Sequence, residues 1–470
     1  MTSERVHYYD TTTSTCPQCK KIVQARTIGR DGKIYLQTHC KEHGVSEALV
    51  YSDEQFYLDA QAFCKPGTYQ RVYNAKVKDG CPNDCGFCPD HEQHICMPIV
   101  EITDHCDMQC PVCLVQNKES YYMELEALKE IVERLILSEG QVQVLSLSGG
   151  EPTCHPQYKE ILEYLVSVPE ILRVSVSTNG LRLARDKELR DLHKKLDVVV
   201  SLQIDGFKEE TYEKIRGKAS YAAIKKDLLE TIKKEDMAAS LTVTAVRGVN
   251  EDEFPAIVKY FLQEDNLLSM TIQPFSHEGT GSSFSHDPTD RVTIPEVIDL
   301  IAKGSDNVVQ KDDFTPLPCS HPTCFCLTFL LKVEGGGWLP IKRVLAVDDY
   351  LDLIRNRSYI SADDENVDKM KGLLYELWSG PAMRLPQSDG ALKTMKNILK
   401  QIDAAGGEEK DNIRIAERKM KSIFIHQFMD THTFDVSRVR RCCTVYPKED
   451  GKIYPMCAYN VLHRGKEGKR

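Results

Sequence analysis

Residues 104–116, DHCDMQCPVCLVQ, set Cys106, Cys110 and Cys113 at C-x3-C-x2-C spacing, with no fourth cysteine close behind. Thiolates so spaced ligate metal, and a cubane [4Fe–4S] cluster ordinarily takes four of them. Three leave one iron open to a small molecule, much as catalytic zinc keeps one position open for water. Further along, SGGEP places Gly149, Gly150, Glu151 and Pro152 at the end of an apolar run. Glycines there let a backbone approach a ligand closely with its amides facing it.

The chain holds 18 cysteines in 470 residues, most of them in short clusters. In a reducing cytosol that density favours metal ligation over disulfides. GCPNDCGFCPDHEQHIC spaces Cys81, Cys85, Cys88 and Cys96 as C-x3-C-x2-C-x7-C, enough for a fully ligated auxiliary [4Fe–4S] cluster. Zinc is the alternative metal there, and His91 and His94 are competing ligands.

At the N-terminus CPQC (16–19) and HCKEHG (39–44) bracket a hairpin-like stretch with Gly32 at its turn. Cys16, Cys19, Cys40 and His43 would close one tetrahedral site for a mononuclear zinc or iron, as a zinc ribbon or rubredoxin knuckle does. Cys64 competes for the fourth position, and His39 is a bystander. The C-terminal third supplies TPLPCSHPTCFC and RCCTVYPKEDGKIYPMCAYN. Cys319, Cys324, one of Cys442 and Cys443, and Cys457 are assigned to a second auxiliary cluster, in which Cys326, two residues on, could substitute for Cys324. Cys154 stays unassigned.

The elements that must position these groups follow from periodicity. MPIVEIT (97–103) reads as a strand entering the cysteine loop, and Leu125, Leu128, Ile131, Val132 and Leu135 fall at helical spacing before Gly140. QVQVLSLSGG is a second strand. Four more follow at 171–180, 196–206, 239–250 and 267–276, with helical segments such as 156–170 and 220–236 between them. Strands alternating with helices imply βαβ units and a parallel sheet.

Strand, cysteine loop, helix, strand and glycine turn together resemble the radical S-adenosylmethionine (SAM) superfamily. The resemblance implies a partial TIM-like (β/α)6 barrel. It also implies that Cys106, Cys110 and Cys113 hold a cluster whose open iron chelates SAM, which is cleaved reductively to a 5′-deoxyadenosyl radical. On the same resemblance Gly149, Gly150, Glu151, Pro152, Ser177, Asn179, Ser201, Gln203, Asp205 and Arg247 are expected to contact the cofactor. Val112 departs from the pattern, because the superfamily usually sets an aromatic residue before the last cysteine. The expected domains are a metal knuckle (1–75), an auxiliary cluster loop (76–96), the barrel (97–300) and a C-terminal auxiliary-cluster and helical cap region (301–470). The cap is read from the charge-rich 345–435, including NVDKMKGLLYELWSG.

The order of motifs is similar to a subgroup that includes archaeal tetraether lipid synthase, and it covers about 14 to 462. C–C bond formation on lipid chains is therefore the leading expectation, with radical C-methylation of a pterin or other small heterocycle as the alternative. A noncatalytic metal-binding electron carrier is the third, and SGGEP argues against it. A low-potential donor such as ferredoxin or flavodoxin would supply electrons. Net charge is −10, which excludes bulk electrostatic attraction to nucleic acid. No apolar run spans a bilayer and the N-terminus lacks a signal segment. The expected location is cytoplasmic, with transient membrane contact if the substrate is lipid.

Overall fold

The computed structural model describes residues 6–115, 120–285, 287–357, 387–405 and 409–464. The stretch NVDKMKGLLYELWSG lies outside the described residues.

The chain opens with an antiparallel sheet of β1 (His7–Thr15), β2 (Ile22–Arg30), β3 (Lys33–Cys40) and β4 (Gly44–Tyr51), in that spatial order. The β2–β3 turn is Asp31-Gly32, with φ of 52° and 72°. Positive φ at both central residues matches strand twist, which explains why an Asp-Gly pair sits there.

Six parallel strands follow in sequential order: β5 (Met97–Thr103), β6 (Val142–Gly149), β7 (Ile171–Thr178), β8 (Val199–Gln203), β9 (Ala239–Ala245) and β10 (Leu267–Pro274). The helix Leu125–Glu139 buries Leu128, Ile131, Val132 and Leu135 as one stripe and stops at Gly140, φ 80°. Strands buried on both faces ordinarily read as continuous apolar runs. These strands alternate instead. Leu145, Leu147, Val174, Val176, Val200, Leu202, Leu241, Val243, Met270 and Ile272 are buried. The residues between them are mostly serine and threonine, and they line an interior cavity.

The C-terminal region adds β11 (Thr315–Pro316), β12 (Phe325–Lys332), β13 (Trp338–Pro340), β14 (Met420–His426), β15 (Thr444–Pro447) and β16 (Ile453–Pro455). These do not form a separate layer. β14 pairs parallel with β10, and β12 pairs antiparallel with β14. At the other edge β15 pairs parallel with β5, and β16 pairs antiparallel with β15. The fold is thus a partial α/β barrel whose two edges both continue into C-terminal strands. The N-terminal sheet docks on the same region: Thr12 Oγ1 donates to Asp435 Oδ1 (2.6 Å), and Gln427 Nε2 donates to Val50 O (2.8 Å).

Candidate active site and metal centres

Cys106, Cys110 and Cys113 lie on the loop leaving β5 and line a cavity of about 410 Å³ inside the barrel. The loop is stitched from two sides. Gly150 N donates to Thr103 O and Glu151 N to His105 O, both at 2.7 Å. Thr280, beyond β10, receives Cys113 N on its hydroxyl (2.9 Å), and its own N donates to Cys113 O (2.9 Å). Cys106 Sγ accepts from Met108 N (3.4 Å) and faces Asn179 Nδ2 (3.8 Å). Burial pushes the Cys106 and Cys113 thiols up. Bound iron reverses that logic by holding ligands as thiolates, and these amide donors suit anionic sulfur.

The glycines of SGGEP permit close packing of the cluster loop, and Gly150 and Glu151 also line the cavity. A Cβ on Gly150 would sit 2.6 Å from the carbonyl carbon of His105 and nearer still to its oxygen. Gly149, at φ 130°, is pressed against the Thr103 carbonyl, and Pro152 starts a short 3₁₀ turn. Glu151 is buried and accepts from Thr153 N (3.2 Å), Thr153 Oγ1 (2.6 Å), Thr178 Oγ1 (2.7 Å) and Asn179 N (2.7 Å). It braces the β6 and β7 loops, and burial raises its carboxyl pKa.

Ser177, Ser201 and Gln203 line the cavity. Ser177 is hydroxyl-bonded to Ser146 (3.3 Å) and Ser201 to Thr242 (3.0 Å). Asp205 is fully buried and gripped by Arg216, Nε to Oδ2 at 2.6 Å and Nη2 to Oδ1 at 3.0 Å. Arg216 also adjoins Cys110; burial would lower its pKa, but Asp205 and Cys110 raise it. Lys225, fully buried, donates to Gln203 O and Oε1, and burial brings its ammonium down to about 7. Neither Arg216 nor Lys225 was expected. Each follows a strand by a helix, so spacing along the strands gave no signal.

The expectation for Arg247 is corrected. Its guanidinium turns to Glu251, Asp290 and Glu296, away from the cavity lining. Val246 instead packs with Val112, Ile215 and Phe275. Phe275 supplies aromatic surface beside the cluster loop where Val112 lacks it.

In the N-terminal sheet the ligand atoms of Cys16, Cys19, Cys40 and His43 lie within 4.8 Å of one another. Cys16 Sγ and Cys40 Sγ are each 3.5 Å from His43 Nδ1, and Cys19 Sγ is 4.0 Å from Cys40 Sγ. A tetrahedral zinc holds sulfur and nitrogen ligands about 3.5–3.8 Å apart, so the set fits. Cys64 is not part of it. Lys65 N donates to Pro318 O (2.9 Å), which puts Cys64 on the stretch beside Cys319.

The remaining cysteines group differently from their order in sequence. Cys96 does not complete the set of Cys81, Cys85 and Cys88; it sits in side-chain contact with Cys319 and Cys443. Cys324, Cys442 and Cys457 are electrostatic neighbours, and Arg438 Nε donates to Cys324 Sγ at 3.2 Å. Cys319 thus meets Cys96 and Cys443, while Cys324 neighbours Cys442 and Cys457, and Cys443 also adjoins Cys442. Cys326 is buried in the apolar core and substitutes for none of them. His91 Nε2 lies 2.8 Å from Cys442 O, while His94 is held by Glu139 and Asn356 O, so both rings are already engaged. Cys96 and Cys443 line the same cavity as Cys106, Cys110 and Cys113.

The barrel and its three-cysteine loop define a radical SAM protein, and residues 76–261 match the Radical SAM superfamily. The chain belongs to that superfamily. Residues 8–52 match the HMPTM N-terminal zinc ribbon domain. The chain is 31% identical over 484 aligned residues to 7,8-dihydro-6-hydroxymethylpterin dimethyltransferase of Methanocaldococcus jannaschii, covering 96% of this chain and 94% of that protein. It is 26% identical to GTP 3′,8-cyclase of Chlorobaculum tepidum over 37% of this chain and 53% of that one. Among solved structures, Streptococcus suis SuiB bound to its precursor peptide SuiA aligns at TM-score 0.40 and 12% identity, over 47% and 48% of the two chains. The expected kinship to tetraether lipid synthase, and lipid coupling with it, finds no support here: a relative aligned over 96% of this chain is a pterin dimethyltransferase. No helix among the described residues is long and apolar enough to cross a membrane.

Proposed function

We propose that this protein is a radical SAM C-methyltransferase acting on a reduced pterin or a closely similar bicyclic heterocycle. The observation that carries the reading is the cavity wall. Ser146, Ser175, Ser201, Thr242, Thr271 and Ser422 present hydroxyls from successive strands, and Phe325, Phe329 and Phe424 face the same space from β12 and β14. A flat heterocycle uses both, with rim donors and acceptors bonded to hydroxyls and a face against phenyl rings. Pairing within Ser146–Ser177 and Ser201–Thr242 keeps that wall satisfied when dry. The full-length likeness to a pterin dimethyltransferase supports the same substrate class.

Cys106, Cys110 and Cys113 would hold a [4Fe–4S] cluster, which together with SAM would supply a radical able to take hydrogen from an unactivated carbon. This chain's own residues do the rest. Asn179 and the Met108 amide hold Cys106, Arg216 balances Cys110, and Thr280 fixes the far end of the loop. The zinc ribbon is read as structural. Two auxiliary [4Fe–4S] clusters complete the reading. One rests on Cys96, Cys319 and Cys443, with Cys64 next to Cys319 in reach of the fourth place. The other lies among Cys81, Cys85, Cys88 and the nearby Cys324, Cys442 and Cys457.

Anaerobic incubation with reductant, SAM and 7,8-dihydro-6-hydroxymethylpterin, followed by mass spectrometry, tests the substrate. Methylated pterin with 5′-deoxyadenosine release is expected. Release that depends on lipid extract, with the pterin unchanged, would return the reading to lipid coupling.

A further inference from the structure

Residues 65–80, KPGTYQRVYNAKVKDG, form neither strand nor helix and cross the surface as a strap. Its backbone is tied down from end to end. Lys65 N donates to Pro318 O beside Cys319, and Thr68 O accepts from His94 N, two residues from Cys96. Arg71 N donates to Ser138 O, and Asn74 N and Ala75 N donate to Phe87 O beside Cys88. Asp84, beside Cys85, accepts from the amides of Lys78 (2.6 Å) and Gly80 (2.7 Å). One strap thus touches the loops of two separate thiol groups.

Its outer face differs from the rest of the molecule. Of the 11 large hydrophobic side chains exposed among the described residues, Tyr69, Val72, Tyr73 and Val77 are on the strap, and Leu137 is near the end of the helix Leu125–Glu139 that it crosses. Arg71, Lys76 and Lys78 are exposed on the same stretch, opposed by the exposed Asp79 and the half-buried Asp84. Lys65 is already paired with Asp348 and Asp352. This cationic, aromatic face stands on a chain of net charge −10.

We propose that the strap is the docking surface for a small acidic electron-carrier protein, which reduces the thiolate-held centre beneath it. The proposal rests on reading Cys81, Cys85 and Cys88 as iron–sulfur ligands. Apolar anchors ringed by cations are what a transient interface with an acidic partner uses. The net negative charge opposes approach of such a partner overall, so the local cations also orient the encounter. Each encounter moves one electron: the carrier's centre is oxidised by one and the cluster reduced by one, with no atom transferred. An anionic lipid surface also attracts basic, aromatic segments. The net charge opposes it, and the strap's backbone bonds hold it against the cysteine loops.

The test compares wild-type holoprotein with Lys76→Glu/Lys78→Glu. Cluster reduction is followed by electron paramagnetic resonance with either a reduced 2[4Fe–4S] ferredoxin or dithionite as donor, and ferredoxin affinity is measured separately. The expected result is at least a tenfold fall in the ferredoxin-to-dithionite rate ratio, weaker ferredoxin binding, and loss of the wild-type salt dependence. An unchanged ratio overturns the proposal. So does binding to phosphatidylglycerol vesicles that the variant loses while ferredoxin reduction persists. If the double variant loses iron, the single charge-removing variant Lys76→Gln repeats the comparison, with a fall in the ferredoxin-to-dithionite ratio expected and an unchanged ratio overturning the proposal. None of these readouts involves the pterin, so their failure is distinct from failure of the substrate assignment.

Discussion

Gly150 lies against His105, where a Cβ would fall 2.6 Å from the carbonyl carbon of the residue before the first cluster cysteine. The neighbouring amide, Glu151 N, donates to the same carbonyl at 2.7 Å. A side chain at position 150 therefore displaces the cluster loop. Gly150→Val is expected to lower iron bound at Cys106, Cys110 and Cys113 as well as SAM affinity. Overpacking of this kind costs about 1–3 kcal/mol. Iron per chain after anaerobic reconstitution checks it. Wild-type iron content with weakened SAM binding alone would return Gly150 to direct contact with the cofactor.

Arg216 and Asp205 form a bidentate pair with side chains 8% and 0% exposed. Removing one partner of such a pair leaves an uncompensated buried charge, at about 3–5 kcal/mol. Arg216→Met should lower the denaturation midpoint by a corresponding amount. The double variant Arg216→Met/Asp205→Asn should recover part of it, because no lone charge is left. A single variant as stable as wild type would mean that Asp205 finds another cation.

The six barrel strands were legible because β-branched, alternating runs alternate with helical ones, and each element packs beside its neighbour in sequence. The C-terminal strands were not. β14 joins β10 and β15 joins β5 across long separations, and pairing of that kind leaves no local mark. The cysteines behave likewise: spacing identified Cys106, Cys110 and Cys113, whose partners are local. It misplaced Cys96, whose neighbours Cys319 and Cys443 come from distant loops. Arg247 was misread because its position after β9 suits the cavity mouth, while its side chain finds three carboxylates outside.

The zinc ribbon separates His43 from Cys64 as fourth ligand. His43→Ala and Cys16→Ala should each lose about one zinc per chain, since all four ligands close the site. Cys64→Ala should keep it. Metal analysis of the purified variants decides, and zinc lost from Cys64→Ala with His43→Ala intact would reverse the assignment.

Glu101, on β5, lies between Lys448 Nζ (2.7 Å) and Arg464 Nη2 (2.8 Å). Burial alone would raise its carboxyl, yet the two cations hold it down to about 2 from an ordinary 4.5. A depressed carboxylate stabilises the fold fully above its unfolded value and loses that contribution as pH falls towards its folded one. The window is therefore pH 4.5 down to about 2, and the contribution lost is roughly 3 kcal/mol. Glu101→Gln should be less stable at neutral pH and show a flatter stability profile across that window. Parallel acid-unfolding curves for variant and wild type would exclude the linkage.

Cys96, Cys319 and Cys443 meet from three separate loops, whereas Cys81 lies with Cys85 and Cys88. Alanine at any one of the first three should remove the same centre, so their iron contents and paramagnetic spectra should coincide. Residues acting on one centre are non-additive, and Cys96→Ala/Cys319→Ala should lose no more iron than either single variant. Cys81→Ala should lose a spectroscopically different signal, and combining it with Cys96→Ala should add the two losses. Additive losses for Cys96 with Cys319, or one shared loss for Cys96 with Cys81, would restore the grouping by sequence order.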